Sequence, residues 1–192
     1  MSECDPIPVL HLITELDAGG AQSALYRLLK HGDSARFRPV VACFYNGDGA
    51  AAQRIRQLGI PVVDLDMTGW YRLDALWRLY QLLRRERPFI LHCWLFHANF
   101  LGRIVGRLAR VPIIITARRN VEIGGAWRER LQRWTVGLDD KIIAVCEAAR
   151  QAEISHSGAP PDKVVTIYNG IDLLPFAVSA RQAVRREWGI EP

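Results

Sequence analysis

Three stretches of the sequence carry side chains able to act on a polar, anionic ligand. The first is His92-Cys93-Trp94-Leu95-Phe96-His97-Ala98-Asn99, where His97 can accept a proton and both His97 and Asn99 can hydrogen-bond ligand hydroxyls. The competing reading is structural, since either side chain can cap the helix that follows. The second is Thr116-Ala117-Arg118-Arg119-Asn120, two adjacent guanidiniums with an amide beside them and Gly124 and Gly125 close behind. Such a pair can grip an anion bidentately, or it can be used up in ion pairs with Glu122, Asp139 or Asp140. The third is Asp17-Ala18-Gly19-Gly20-Ala21-Gln22. Adjacent glycines allow close approach of a ligand, and a helix start offers unpaired N–H groups to a phosphate or carboxylate; taken alone, the pair is also an ordinary tight turn. Neither G-x-G-x-x-G nor a P-loop is present. His92 and His97 do not form H-E-x-x-H, so no metal site is expected.

These residues need elements that bring them together, and the apolar pattern supplies them. Short runs rich in Val, Ile and Leu occur at Ile7 to Ile13, Val40 to Phe44, Val62 to Leu65, Phe89 to Cys93, Ile113 to Thr116, Ile142 to Val145 and Val164 to Ile167. They read as seven buried parallel strands. Segments of helical spacing lie between them, clearest in Leu73, Leu76, Trp77, Tyr80 and Leu83, whose steps of three and four predict one buried face before Pro88 stops the helix. Strand and helix in alternation predict an α/β fold, a doubly wound, mostly parallel sheet of about seven strands. Ligands bind such sheets outside the carboxyl ends of the strands, where all three stretches fall. After Ile167, Tyr168-Asn169-Gly170-Ile171-Asp172 with Pro175 reads as a turn and linker, and Ser179 to Trp188 as a capped helix ended by Gly189.

Composition narrows the class. With 192 residues, 49% hydrophobic and 23% charged, the chain is long and apolar enough to bury a core. No apolar run approaches the roughly 18 to 20 residues that cross a bilayer. The acidic, proline-broken start at Met1 to Pro6 lacks the pattern of a secretory signal, which predicts a cytoplasmic protein. Cys4, Cys43, Cys93 and Cys146 form no C-x-x-C pair and are expected to be structural thiols. Of the 25 basic residues 22 are arginine, and Asp66 to Arg150 holds 15 basic against 8 acidic residues. The middle of the chain therefore faces anions. Two basic, tryptophan-bearing helices are expected, Trp70 to Arg87 and Trp127 to Leu138. They read either as helices with buried tryptophans and solvated arginines or as contacts with an anionic membrane. Nucleic-acid binding is not expected, because no basic recognition helix or aromatic strand code is present.

In this order the pieces resemble the N-terminal domain of retaining GT-B glycosyltransferases of family 4. The resemblance is carried by His11-Leu12-Ile13 leading into Gly19-Gly20-Ala21, by His92 to Gly102, by Val145-Cys146-Glu147-Ala148-Ala149, and by Ile167-Tyr168-Asn169-Gly170-Ile171-Asp172 followed by Phe176. It implies transfer of a sugar from a nucleotide-sugar to a lipid-linked, polysaccharide or small-molecule acceptor, with no metal or other cofactor. It also implies that residues 1–170 are the Rossmann-like acceptor side, that 171–192 begin the crossover to a C-terminal donor domain, and that this half alone is inactive. By position, Gly19, Gly20 and Gln22 would lie near donor phosphates and acceptor. His97 would lie in the acceptor cleft, with Asn99, Arg118, Arg119 and Asn120 as substrate contacts. Many relatives have Glu where this chain has Gln22 and His where it has Arg118. The alternative reading is a non-catalytic Rossmann-like module that binds an anionic membrane or a protein.

Overall fold

The computed structural model describes residues 5–67, 73–119, 124–172 and 184–189. Its strands are β1 (Ile7–Glu15), β2 (Phe37–Tyr45), β3 (Val62–Asp64), β4 (Ile90–Trp94), β5 (Ile113–Arg118), β6 (Lys141–Ala144) and β7 (Val164–Thr166). They form one sheet in the order β3-β2-β1-β4-β5-β6-β7, every neighbouring pair parallel. The expected α/β sheet is therefore present, and strand order reverses between β1 and β4. That reversal opens a crevice at the carboxyl ends. β2 begins three residues earlier than the apolar run suggests, at Phe37, and takes in Pro39. Beside Pro39 only β1 is paired, because β3 meets β2 at Val41 to Cys43, so the missing N–H costs no ladder bond.

Among the described residues six helices cover the sheet: α1 (Gly20–Lys30), α2 (Ala50–Arg56), α3 (Leu73–Glu86), α4 (Phe96–Leu108), α5 (Ala126–Thr135) and α6 (Glu147–Ser157). On one face, Leu25 of α1 and Ala52 and Ile55 of α2 bury Ile13, Val41 and Cys43. On the other, α3 and α4 close over Leu10, Leu12, Phe44, Leu91 and Ile114. Cys43 and Cys93 are buried inside these clusters, where burial pushes both thiols up, Cys43 to about 12. Gly102 and Gly106 set how closely α4 lies on the sheet. A Cβ at Gly102 would sit 2.4 Å from Cys93 Sγ, and one at Gly106 would sit 2.7 Å from Leu91 Cδ2.

Helix α3 corrects the expected packing face. Its buried stripe is Ala75, Leu79, Leu82 and Leu83, while Leu73 and Trp77 are exposed and Leu76 and Tyr80 lie at the margin. Two apolar stripes compete on this helix, and the one that contains alanine lets the backbone come nearer the sheet. The helix ends as expected before Pro88, with Arg87 in the left-handed region at φ 45°. Trp127 and Trp134 are also exposed, against the reading that places them in the core. Residues 68–72 and 173–183 lie outside the described residues, so the start of the Trp70 helix and the Ser179 cap do too; 184–187 are helical.

Candidate functional site

At the carboxyl ends of β1, β4 and β5 lies a cavity of about 440 Å³. Its walls come from Thr14 and Glu15 at the end of β1, Leu95 to His97 and Asn99 at the start of α4, Ala117 to Arg119 at the end of β5, and Arg128 and Gln132 of α5. A larger depression, about 670 Å³, opens at the opposite end among Pro6, Leu83, Phe89 and Pro112 and carries none of the three stretches. Strand β4 hands over to α4 through Leu95, whose φ of 71° is costly for a branched side chain. That turn aims Phe96 and His97 into the cavity. Gly124 and Gly125, at φ 76° and 80°, turn the chain so that the first turn of α5 presents Arg128 from the other wall.

The two adjacent arginines have different fates. Arg118 is buried and its Nη1 donates to Glu153 Oε2 of α6 at 2.7 Å. This is not one of the expected partners: Asp139 pairs with Arg103, Asp140 pairs with Arg107 at 2.8 Å, and Glu122 lies outside the described residues. Arg119 instead lies with its guanidinium 4.2 Å from the Trp94 ring centroid and donates from Nη1 to Asn169 Oδ1. It has no carboxylate at ion-pair distance among the described residues, and its buried Nε has no hydrogen-bond partner. Burial and then the charge of Arg27 lower its pKa to about 10, which leaves it cationic at neutral pH. Asn120 lies outside the described residues.

His97 is half-buried, with the Phe96 ring edge-on at 5.3 Å. Burial and then Arg128 lower its pKa, so the imidazole is held neutral and can accept a hydrogen bond or a proton. Asn99 does not cap α4. It is buried and its Nδ2 donates to the Ala117 carbonyl at 3.1 Å, tying α4 to β5, while its Oδ1 is unpartnered. Gly19 and Gly20 stand at the start of α1, outside the cavity lining, and no side chain caps that helix. Gln22 is buried under the loop: a Cβ on Gly19 would meet its Oε1 at 2.3 Å, and its Nε2 reaches the Glu15 carbonyl at 3.4 Å. A side chain at position 19 would push the Gln22 amide aside.

Four residues of the site escape sequence reasoning. Thr14 lines the cavity while its own hydroxyl is buried and unpartnered, and burial and then Glu15 raise the pKa of Tyr45. Their position after an apolar run was the available signal. Trp94 and Arg128 depend on which strands become neighbours, and no local pattern reports that. Behind the site, His11 and His92 face each other across β1 and β4, rings 5.3 Å apart, each with an unpartnered nitrogen. Burial holds His11 at about 4 and His92 also well below the usual histidine range, so both are neutral. Among the described residues no cluster of His, Cys, Asp or Glu is placed to hold a metal ion, and no helix is long and apolar enough to cross a membrane.

Comparison with known proteins adds to this geometry. The profile of Glycosyltransferase Family 4 matches residues 18–173. An Escherichia coli protein, UDP-Gal:alpha-D-GlcNAc-diphosphoundecaprenol alpha-1,3-galactosyltransferase, is 25% identical over 143 residues, covering 69% of this chain and 36% of its own length. The structure of Anabaena HepE in complex with UDP-glucose aligns with a TM-score of 0.75 at 21% identity, over 95% of this chain and 50% of that one. A glycosyltransferase from Rickettsia africae aligns with a TM-score of 0.78 at 11% identity, over 98% and 51%. The chain thus spans about a third of that curated relative and about half of those structures.

Proposed function

The chain belongs to glycosyltransferase family 4, and from that premise we propose that it is the acceptor-binding half of an enzyme moving a sugar from a nucleotide-sugar to a phosphate-bearing acceptor. One observation carries the reading: Arg119, cationic and without a carboxylate partner among the described residues, stands on Trp94 at the rim of the carboxyl-end cavity. An arginine fixed on an indole face and lacking a counter-ion is ready for an anion. The cavity beside it has room for one sugar ring, with His97 offering ring nitrogens for its hydroxyls. A neutral His97 suits hydrogen bonding to the attacking hydroxyl. Arg118 holds α6 against β5 through Glu153 and shapes the cavity wall. The Gly19-Gly20 turn is left open toward the nucleotide-sugar, which a second domain would hold. The relative whose acceptor is a sugar on diphosphoundecaprenol supports a lipid-diphosphate acceptor here.

Calorimetric titration of the full chain with N-acetylglucosamine and with a short-chain lipid diphosphate of the same sugar tests this. The diphosphate ligand is expected to bind at least about tenfold more tightly, as one charge-assisted contact of about 1.5–3 kcal/mol requires, and Arg119→Gln is expected to erase the difference. Equal binding of the two ligands by the native chain would sink the proposal.

A further inference from the structure

Helix α5 is inverted relative to an ordinary surface helix. Its inward side buries Gln132 and Thr135, both held by Arg103 Nη1 at 2.9 and 3.2 Å, while its outward side carries Trp127 at 51% and Trp134 at 74% exposure. A tryptophan side chain has roughly 150–250 Å² to hide, yet the inward positions are given to an amide and a hydroxyl. Trp127, Arg130 and Trp134 follow steps of three and four and form one stripe, with exposed Arg133 beside it. Arg133 donates to the His156 carbonyl at 2.8 Å, a contact that leaves its charge unbalanced. The one acid of the helix, Glu129, is half-buried. The stripe also runs into the site: Trp127 meets the Phe96 ring edge-on at 5.8 Å, and Phe96 lines the cavity.

Two kinds of partner can cover such a stripe, a protein or a lipid surface. The chemistry favours lipid. Indoles alternate with guanidiniums and no leucine or phenylalanine knob projects from the stripe, which suits the headgroup layer, where rings sit at the apolar boundary and arginines meet phosphates. The excess of 15 basic over 8 acidic residues between Asp66 and Arg150 adds long-range attraction to an anionic surface. We infer that α5 is a membrane-docking helix that seats this half of the enzyme on an anionic bilayer, with the cavity opening at the lipid surface. The purpose of docking rests on the acceptor reading above: a lipid-linked sugar would reach Arg119 while its tail stays in the bilayer. The docking itself stands on the stripe.

Flotation of the full chain with vesicles of phosphatidylcholine alone, and of equal parts phosphatidylcholine and phosphatidylglycerol, tests the inference. The chain is expected to float with the anionic vesicles and less so as salt is raised. The double variant Trp127→Gln with Trp134→Gln is expected to lose partitioning by about tenfold or more. Both positions are exposed, so its thermal melt should match the native one. Arg130→Gln with Arg133→Gln should remove the preference for anionic lipid. No flotation by the native chain, equal flotation with both vesicles, or native-like flotation of the double tryptophan variant would each overturn the inference. Arg119→Gln separates the two readings, because it should float like the native chain while losing acceptor binding. A chain that floats without discriminating the diphosphate acceptor would sink the acceptor reading and leave the docking helix standing.

Discussion

The two ends of the sheet are held together by different physics. Around β1 and β2 the interior is apolar: Ile13, Leu25, Val41, Cys43 and Ile55 on one face, Leu10, Leu12 and Phe44 on the other. Toward β6 and β7 the buried apolar cluster is Val136, Ile142, Ala144, Ala149, Ala159 and Val164, half of it alanine. Charge fills the difference. Fully buried Arg103 lies 2.6 Å from Asp139 Oδ2 and bonds Thr116, Gln132 and Thr135; Gln132 then donates to Glu153 at 2.8 Å, and Glu153 accepts from Arg118. The network clamps α4, α5 and α6 to β5. An apolar core tolerates swaps of similar volume, whereas a buried network fails when any one member is removed. The wall that shapes the candidate site and carries the docking helix is the one built in the less forgiving way.

The largest expected effect follows directly. Asp139→Ala leaves Arg103 buried without its counter-ion and should cost about 3–5 kcal/mol in urea unfolding. Ile55→Val, equally buried in the other half, should cost only about 0.5–1.5 kcal/mol. Replacing Arg103 and Asp139 together by Met and Leu should recover only part of the loss: the unpaired charge is gone, but Gln132 Oε1 and the Thr116 hydroxyl lose their buried partners. If Asp139→Ala proved as mild as Ile55→Val, the contrast between the two ends would be broken.

The same contrast explains what the sequence revealed. Buried parallel strands are nearly continuous apolar runs, so all seven were legible, and with them the end of the sheet that carries the candidate site. The start of β2 was hidden because Arg38 and Pro39 look like breakers, although pairing with β1 alone accommodates them. The inward face of α3 was misjudged because its leucines form two stripes and only tertiary packing chooses between them. In the site, the placement of His97 and Arg119 followed from strand ends, while the partner of Arg118 did not. Glu153 is 35 residues away on a helix whose position depends on the whole network. Polar pairing at long range leaves no period in the sequence, and apolar packing does.

A smaller effect tests a buried polar pair in the apolar half. His11 and His92 are buried neutral, their pKa values depressed by burial, so the unfolded chain takes up protons at higher pH than the native one does. Stability is therefore fully present above about pH 6.5 and lost as pH falls toward the folded value. For His11, at about 4 in the fold, the loss between neutral pH and about pH 5 should be about 2 kcal/mol. The variant His11→Gln should flatten that slope, whatever its stability at neutral pH. An unchanged slope would mean that His11 is not the titrating group, and an unchanged slope in His92→Gln as well would show that this half holds no titrating pair and sharpen the contrast between the two ends.

The smallest expected change in stability is at Arg119, and its smallness is the point. Arg118 and Arg119 are neighbours in sequence, yet only Arg118 belongs to the buried network. Arg118→Gln strands Glu153 and should cost about 3 kcal/mol. Arg119→Gln gives up a stacking contact on Trp94 and a hydrogen bond to exposed Asn169, while relieving repulsion from Arg27 and a buried Nε without a partner. These contributions oppose one another, so its melting midpoint should stay near the native value, within about 0.5 kcal/mol. A guanidinium at the rim of a cleft with so little return in stability would fit the proposed anion site. If Arg119→Gln instead destabilised the chain as strongly as Arg118→Gln, both arginines would be structural, and the anion site would have to be sought on Arg128 across the cavity.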